Sequence, residues 1–109
     1  MEKVYEVVAE IIKNYLPKIK AVGISFDLDF PDTTITVESK ERIKKGIEKG
    51  LKTSISRSKN GSIKLTIKKD GIVLSDTGMV IDKTTCKKLT TEHFSVKSRV
   101  GFGTTFTIK

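Results

Sequence analysis

Tryptophan is absent, and cysteine, histidine and proline are scarce: Cys86, His93, Pro17 and Pro31 account for all three types. A single cysteine excludes an internal disulfide framework and points to a reducing interior, so a cytoplasmic location is expected. No Cys-His or His-Glu spacing forms a metal-ligand pattern, and no nucleophile stands beside a base, so no metal site and no catalytic residue is expected. No apolar run approaches the roughly 20 residues that cross a bilayer. The opening "MEKVYEVVAE" also lacks the uninterrupted apolar stretch of a signal peptide. No contact with a membrane is expected. Aromatic residues make up only 6% of the chain. Most of them fall at apolar helix or strand positions, which leaves no exposed platform for stacking bases.

What is present fits one soluble globular domain spanning residues 1–109, with 37% hydrophobic and 31% charged residues. The net charge of +8 is high for this length. It fits nucleic acid, an acidic protein surface or a phosphorylated ligand equally well. Without a stacking platform, nucleic acid is not the expected partner.

Residues 3 to 20 carry Val4, Val8, Ile11, Ile12, Tyr15 and Ile19 at helical spacing, with Glu6, Glu10, Lys13 and Lys18 elsewhere on the wheel. Pro17 removes one donor and is expected to kink or shorten the last turn. "GISFDLDF" alternates Ile24, Phe26, Leu28 and Phe30 against Ser25, Asp27 and Asp29, the period of a strand. "PDT" then predicts a turn and "TITV" a shorter strand. Ser39 is a candidate N-cap for a helix over about 40–57, whose inner face would carry Ile43, Ile47, Gly50, Leu51 and Ser54. Gly46 and Gly50 inside that helix each cost about 1 kcal/mol relative to Ala, so close packing or a close ligand must justify them.

"NGSIKLTIKKDGIVLSD" predicts a hairpin, with Ile63, Leu65 and Ile67 alternating with Lys64, Thr66 and Lys68. Asp70-Gly71 reads as a type I′ turn pair. A short helix over about 83–92 would turn Cys86 and Leu89 inward and end near His93. "FSVKS" and "TTFTIK" predict a last hairpin around "RVGFG", whose glycines serve the turn. The order implies an α+β fold: a two-layer α/β sandwich, one mixed, mostly antiparallel sheet with about three helices on one face.

This order, together with "ESKERIKKGIEKGL", "LSDTGMVI" and "VKSRVGFGTTFTI", resembles the ATP-binding catalytic domain of sensor histidine kinases, the Bergerat or GHKL-type ATPase fold. The resemblance implies a nucleotide site near Asp76 and Gly78, the surviving half of an Asp-x-Gly-x-Gly loop whose Asp meets the adenine amino group. Val80 stands where that loop's last glycine would be, and its branched side chain is expected to fill space near the base. The Mg²⁺-coordinating Asn of the family's main helix corresponds here to Thr53, and the preceding polar position to Lys49, with Lys45 another turn back. Magnesium takes oxygen ligands, so ammonium groups at that face argue against it. The long lid and the second Gly-rich segment of the family have no counterpart between Ile81 and "DKTTCKKLTTEH".

The resemblance therefore implies a degenerate histidine-kinase catalytic-type domain acting as a non-catalytic signalling module of a two-component system. Its partner would be a protein of the phosphorelay, either the kinase dimerisation helices or a response regulator. No cofactor and no Mg²⁺ are expected. The alternative is a divergent minimal kinase domain that still binds ATP or ADP through Asp76, Gly78, Thr53, Lys49 and Lys45, with the lysines meeting the phosphates as point charges.

Overall fold

The apolar stripe of the first segment folds as its spacing predicts. The structure is a computed structural model that describes residues 2–30, 36–37 and 39–109. Helix α1 (Val4–Ala21) buries Val4, Val7, Val8, Ile11, Ile12 and Ile19. Pro17 does not shorten it. Ile19 is anchored in the core, and the Val22 and Gly23 amides close onto the carbonyls of Lys18 and Lys20 at 3.3 and 3.0 Å. Lys18 and Lys20 also suit the negative end of the helix dipole.

Ahead of α1, strand β1 (Glu2–Lys3) pairs antiparallel with β3 (Thr36–Val37), in a two-stranded ribbon of its own. Thr36 and Val37, the described part of the "TITV" segment, thus pair outside the main sheet. The "PDT" turn lies outside the described residues.

The main sheet contains β2 (Ser25–Asp29), β4 (Ser62–Lys68), β5 (Gly71–Asp76), β6 (Phe94–Arg99) and β7 (Gly103–Ile108), in the order β2-β4-β5-β7-β6. Only β2 and β4 run parallel, and α2 (Lys40–Arg57) lies on the crossover between them. The register places Leu28, Leu65, Leu74, Phe106 and Val96 in one row across all five strands. That row and its neighbours form one core with the inner sides of α1 and α2, and Cys86 and Leu89 of α3 (Lys83–Leu89) pack against its margin. The opposite face of β4 presents Lys64 and Lys68 to solvent. The architecture is the expected α+β sandwich.

Helix α2 starts where Ser39 predicts, its hydroxyl accepting the Arg42 amide at 3.3 Å. The buried residues are Ile43, Gly46, Ile47, Gly50, Leu51 and Ser54. Packing justifies Gly46: a Cβ there would sit 2.6 Å from Ile108 Cγ2. At Gly50 a Cβ would meet ordinary contacts, the nearest at 3.6 Å, so space alone does not require glycine.

Two boundaries differ from expectation. The β4–β5 register pairs Lys68 with Gly71, so the two loop residues are Lys69 and Asp70 rather than Asp70-Gly71. Neither has positive φ, which a type I′ turn requires of both. Gly71 instead opens β5 at φ 155°, where a Cβ would lie 2.8 Å from the Ile108 carbonyl oxygen. Helix α3 stops at Leu89: the Thr90 amide closes on the Cys86 carbonyl at 3.0 Å, and Thr91 already bridges to Phe94. His93 consequently lies beyond the helix, in the turn into β6, where its carbonyl accepts the Lys109 amide at 2.9 Å.

Candidate functional site at the end of strand β5

Asp76 is the last residue of β5, paired with Ile63 on one side and Thr104 on the other. The period of two puts its side chain on the same face as Ile72 and Leu74, beneath α2. There it is 4% exposed. Ser54, fully buried on α2, donates its hydroxyl to Oδ2 at 2.6 Å, and the Gly78 amide donates to Oδ1 at 2.9 Å. Each carboxylate oxygen thus already accepts a bond from the chain itself. A buried carboxylate needs such partners, because an unpaired one would be costly to desolvate.

The loop after Asp76 is tied down along its length. Thr77 exchanges two bonds with Ser62, amide to carbonyl at 3.1 Å and Ser62 amide to hydroxyl at 2.9 Å. The Met79 amide donates to the Arg57 carbonyl at 3.2 Å, while the Arg57 guanidinium donates to the carbonyls of Met79 and Val80. Gly78 is required by this docking: a Cβ there would sit 2.7 Å from the Arg57 carbonyl oxygen. Val80 is 45% exposed. Beneath the loop, Ser58 Oγ and Arg57 Nε are buried without a partner.

The β6–β7 turn closes over the same end of the sheet. Gly101 and Gly103 both have φ near +80°, 83° and 82°, so these glycines serve the turn as predicted. A Cβ on Gly103 would come within 1.9 Å of the Asp76 carbonyl oxygen. Between this turn and Gly78 lies a cleft of about 210 Å³ lined by Thr77, Gly78, Gly101, Phe102 and Gly103.

The other candidate residues stand apart from Asp76. Thr53 donates its hydroxyl back to the Lys49 carbonyl at 2.9 Å. Lys49 donates its ammonium to the Leu89 carbonyl at 2.9 Å, and the same nitrogen lies 4.6 Å above the centre of the Phe94 ring. Lys45 and Lys49 line a groove with Arg42, Gly46, Thr91, His93 and Phe94. That groove shares no residue with the cleft at Gly78. Helix geometry is the reason: Ser54 is five residues from Lys49, about 140° around the axis, so Asp76 and the lysines meet different sides of α2.

Asp82 caps α3, its carboxylate accepting the Thr85 amide at 2.8 Å and the Thr85 hydroxyl at 3.0 Å. These bonds hold its pKa below the usual carboxylate value. Six residues, 77–82, therefore join the end of β5 to the start of α3. Among the described residues, no group of three or more His, Cys, Asp and Glu is placed to hold a metal, and no helix is long and apolar enough to cross a membrane.

The partners of Asp76 were only half visible beforehand. The sequence places Ser54 on the inner face of α2 without naming a partner, although a hydroxyl on an apolar stripe calls for one. Nothing local marks Arg57 as a clamp, because its acceptors lie 22 and 23 residues away in sequence.

No family model matches the sequence, and no curated protein is similar to it in sequence. Solved structures do resemble it. A nucleotide-free form of the catalytic domain of histidine kinase ThkA superposes with a TM-score of 0.84 at 19% identity, over 97% of this chain and 91% of that one. The cytoplasmic segment of histidine kinase QseC gives 0.75 at 10% identity, over 99% of this chain and 70% of that one. ThkA in complex with the response regulator TrrA gives 0.70 at 19% identity, over 98% of this chain and 40% of that one. The chain has the fold of a histidine-kinase catalytic domain, as the sequence resemblance implied.

Proposed function

We propose that this chain is a non-catalytic signalling module built on the histidine-kinase catalytic fold, working by protein contacts in the cytoplasmic part of a two-component system. The observation that carries the proposal is the state of Asp76: buried, with one oxygen held by Ser54 and the other by Gly78. The carboxylate that would read adenine is engaged in holding α2 to the loop. The positions that would hold Mg²⁺ support the same reading. Thr53 is turned onto its own helix, and Lys49 brings a positive charge where the metal needs oxygen. Phosphoryl transfer depends on positioning and on metal-assisted neutralisation of charge, and neither has a residue to supply it here.

The proposed partner is a protein of the phosphorelay, either the dimerising helices of a kinase or a response regulator, rather than nucleic acid or membrane. The complex of ThkA with TrrA supports a response regulator. The test is to titrate the purified chain, by calorimetry, with a histidine-kinase dimerisation hairpin and with response regulators, and to assay Mg·ATP turnover alongside. Saturable 1:1 binding to one of these without ADP formation is expected. Phosphorylation of the hairpin histidine by this chain would overturn the proposal.

The alternative, a minimal kinase domain that still takes ATP, is favoured by one observation. Asp76 and the Gly78 amide remain side by side next to an open cleft. The placement of Lys45 and Lys49 in a separate groove counts against it.

A further inference from the structure

The groove on the N-terminal half of α2 has the makings of an anion site separate from Asp76. It encloses about 280 Å³ between α2 and the turn from α3 into β6, and is lined by Arg42, Lys45, Gly46, Lys49, Thr91, His93 and Phe94. Arg42, Lys45 and Lys49 recur at i, i+3 and i+7, which stacks them on one side of the helix. Like charges so placed weaken a helix on their own account. The acidic residues of α2 do not relieve them. Glu41 lines a different cleft, against Glu10 and Asn14 of α1, and Glu48 faces the Tyr15 phenol, whose pKa is raised by burial and by this carboxylate. No residue lining the groove is acidic, and among the described residues neither Arg42 nor Lys45 has an ion-pair partner. The Glu92 carboxylate lies at the rim, 3.8 Å from His93 Nε2 and largely in solvent, and Asp70 shares a neighbouring cleft with Arg42 on the side away from Lys49.

Lys49 is already placed for such a role. Its bond to the Leu89 carbonyl and its seat over Phe94 hold the side chain in one position. An ammonium has three donors, so two remain to point into the groove. We propose that Arg42, Lys45, Lys49 and His93, with the Thr91 hydroxyl, form a binding site for a phosphate or phosphomonoester group. A tetrahedral oxyanion offers enough oxygens to accept from several converging donors at once, where a carboxylate offers two. The volume lies just under the range of pockets that take drug-sized ligands, enough for the phosphate group with the rest of any ester outside the groove. Base stacking has no place there, because Phe94 is buried with Lys49 over its ring.

Two sources share this chemistry, a free small phosphate and a phosphorylated protein side chain. The test is a ¹⁵N chemical-shift titration of the intact chain at fixed ionic strength. One arm uses sodium phosphate against sodium chloride, and the other a phosphoserine peptide against its unphosphorylated form. Saturable shifts at Lys45, Lys49, Thr91 and His93 are expected in at least one arm, and the arm with the tighter binding identifies the source. Binding there should weaken about tenfold or more in the double variant Arg42→Ala, Lys45→Ala, whose exposed side chains hold no structural partner. Shifts spread evenly over Lys64, Lys68 and Lys97 on the open sheet face would overturn the site, as would unchanged affinity in the double variant. The site does not depend on the function proposed above, and neither substitution touches Asp76.

Discussion

Ser54 and Asp76 form the pair on which the site turns. The hydroxyl–carboxylate bond is 2.6 Å long and fully buried, so removing the hydroxyl leaves Oδ2 of a desolvated carboxylate without a donor. Ser54→Ala is expected to lower stability by about 1–3 kcal/mol in urea unfolding. Ser58→Ala, four residues on, supplies the control. Its buried hydroxyl has no partner, so its loss should cost less than that of Ser54. Equal costs at the two positions would mean that the carboxylate does not need its serine. Some of this was readable in the sequence: Asp76 and Gly78 belong to a recognisable loop pattern, and Ser54 interrupts an apolar stripe. The docking of Gly78 onto the last turn of α2 was not readable, because it joins residues about twenty positions apart.

Legibility at the level of elements followed the strength of the local period. α1, α2, β4, β5 and the last hairpin announce themselves by spacing alone, and each forms where that spacing predicts. The short pieces are set by tertiary bonds that spacing does not carry. β3 pairs with the chain's first residues instead of extending the sheet, and α3 ends when Thr90 and Thr91 begin to pair toward β6. The start of α3 depends on Asp82, and this gives it a pH dependence. The folded carboxylate titrates below its ordinary value of 3.8 because Thr85 donates to its charged form. A lowered folded pKa means that the contribution is fully present above the unfolded value. It is lost as pH falls from there through the folded value. Thermal melts between pH 5 and the acid limit should therefore show a steeper loss for the native chain than for Asp82→Asn. Parallel curves would show that the cap contributes nothing.

At the scale of the whole molecule, the fold and its site tell different stories. The sandwich superposes on histidine-kinase catalytic domains at identities of 10–19%. At such identities the likeness is one of fold. The residues that the resemblance would assign to a nucleotide make contacts within the chain: Asp76 accepts from Ser54 of α2, Gly78 packs on the Arg57 carbonyl, and Lys49 joins α2 to the end of α3. The basic groove opens elsewhere along α2 and shares no lining residue with the cleft at Gly78. The central claim, that the site no longer takes Mg·ATP, is most directly tested by calorimetric titration of ATP and a non-hydrolysable analogue with and without Mg²⁺. The account predicts no saturable binding below about 1 mM and no effect of the metal. A dissociation constant under about 100 μM, strengthened by Mg²⁺ and abolished in a folded Asp76→Asn variant, would contradict it.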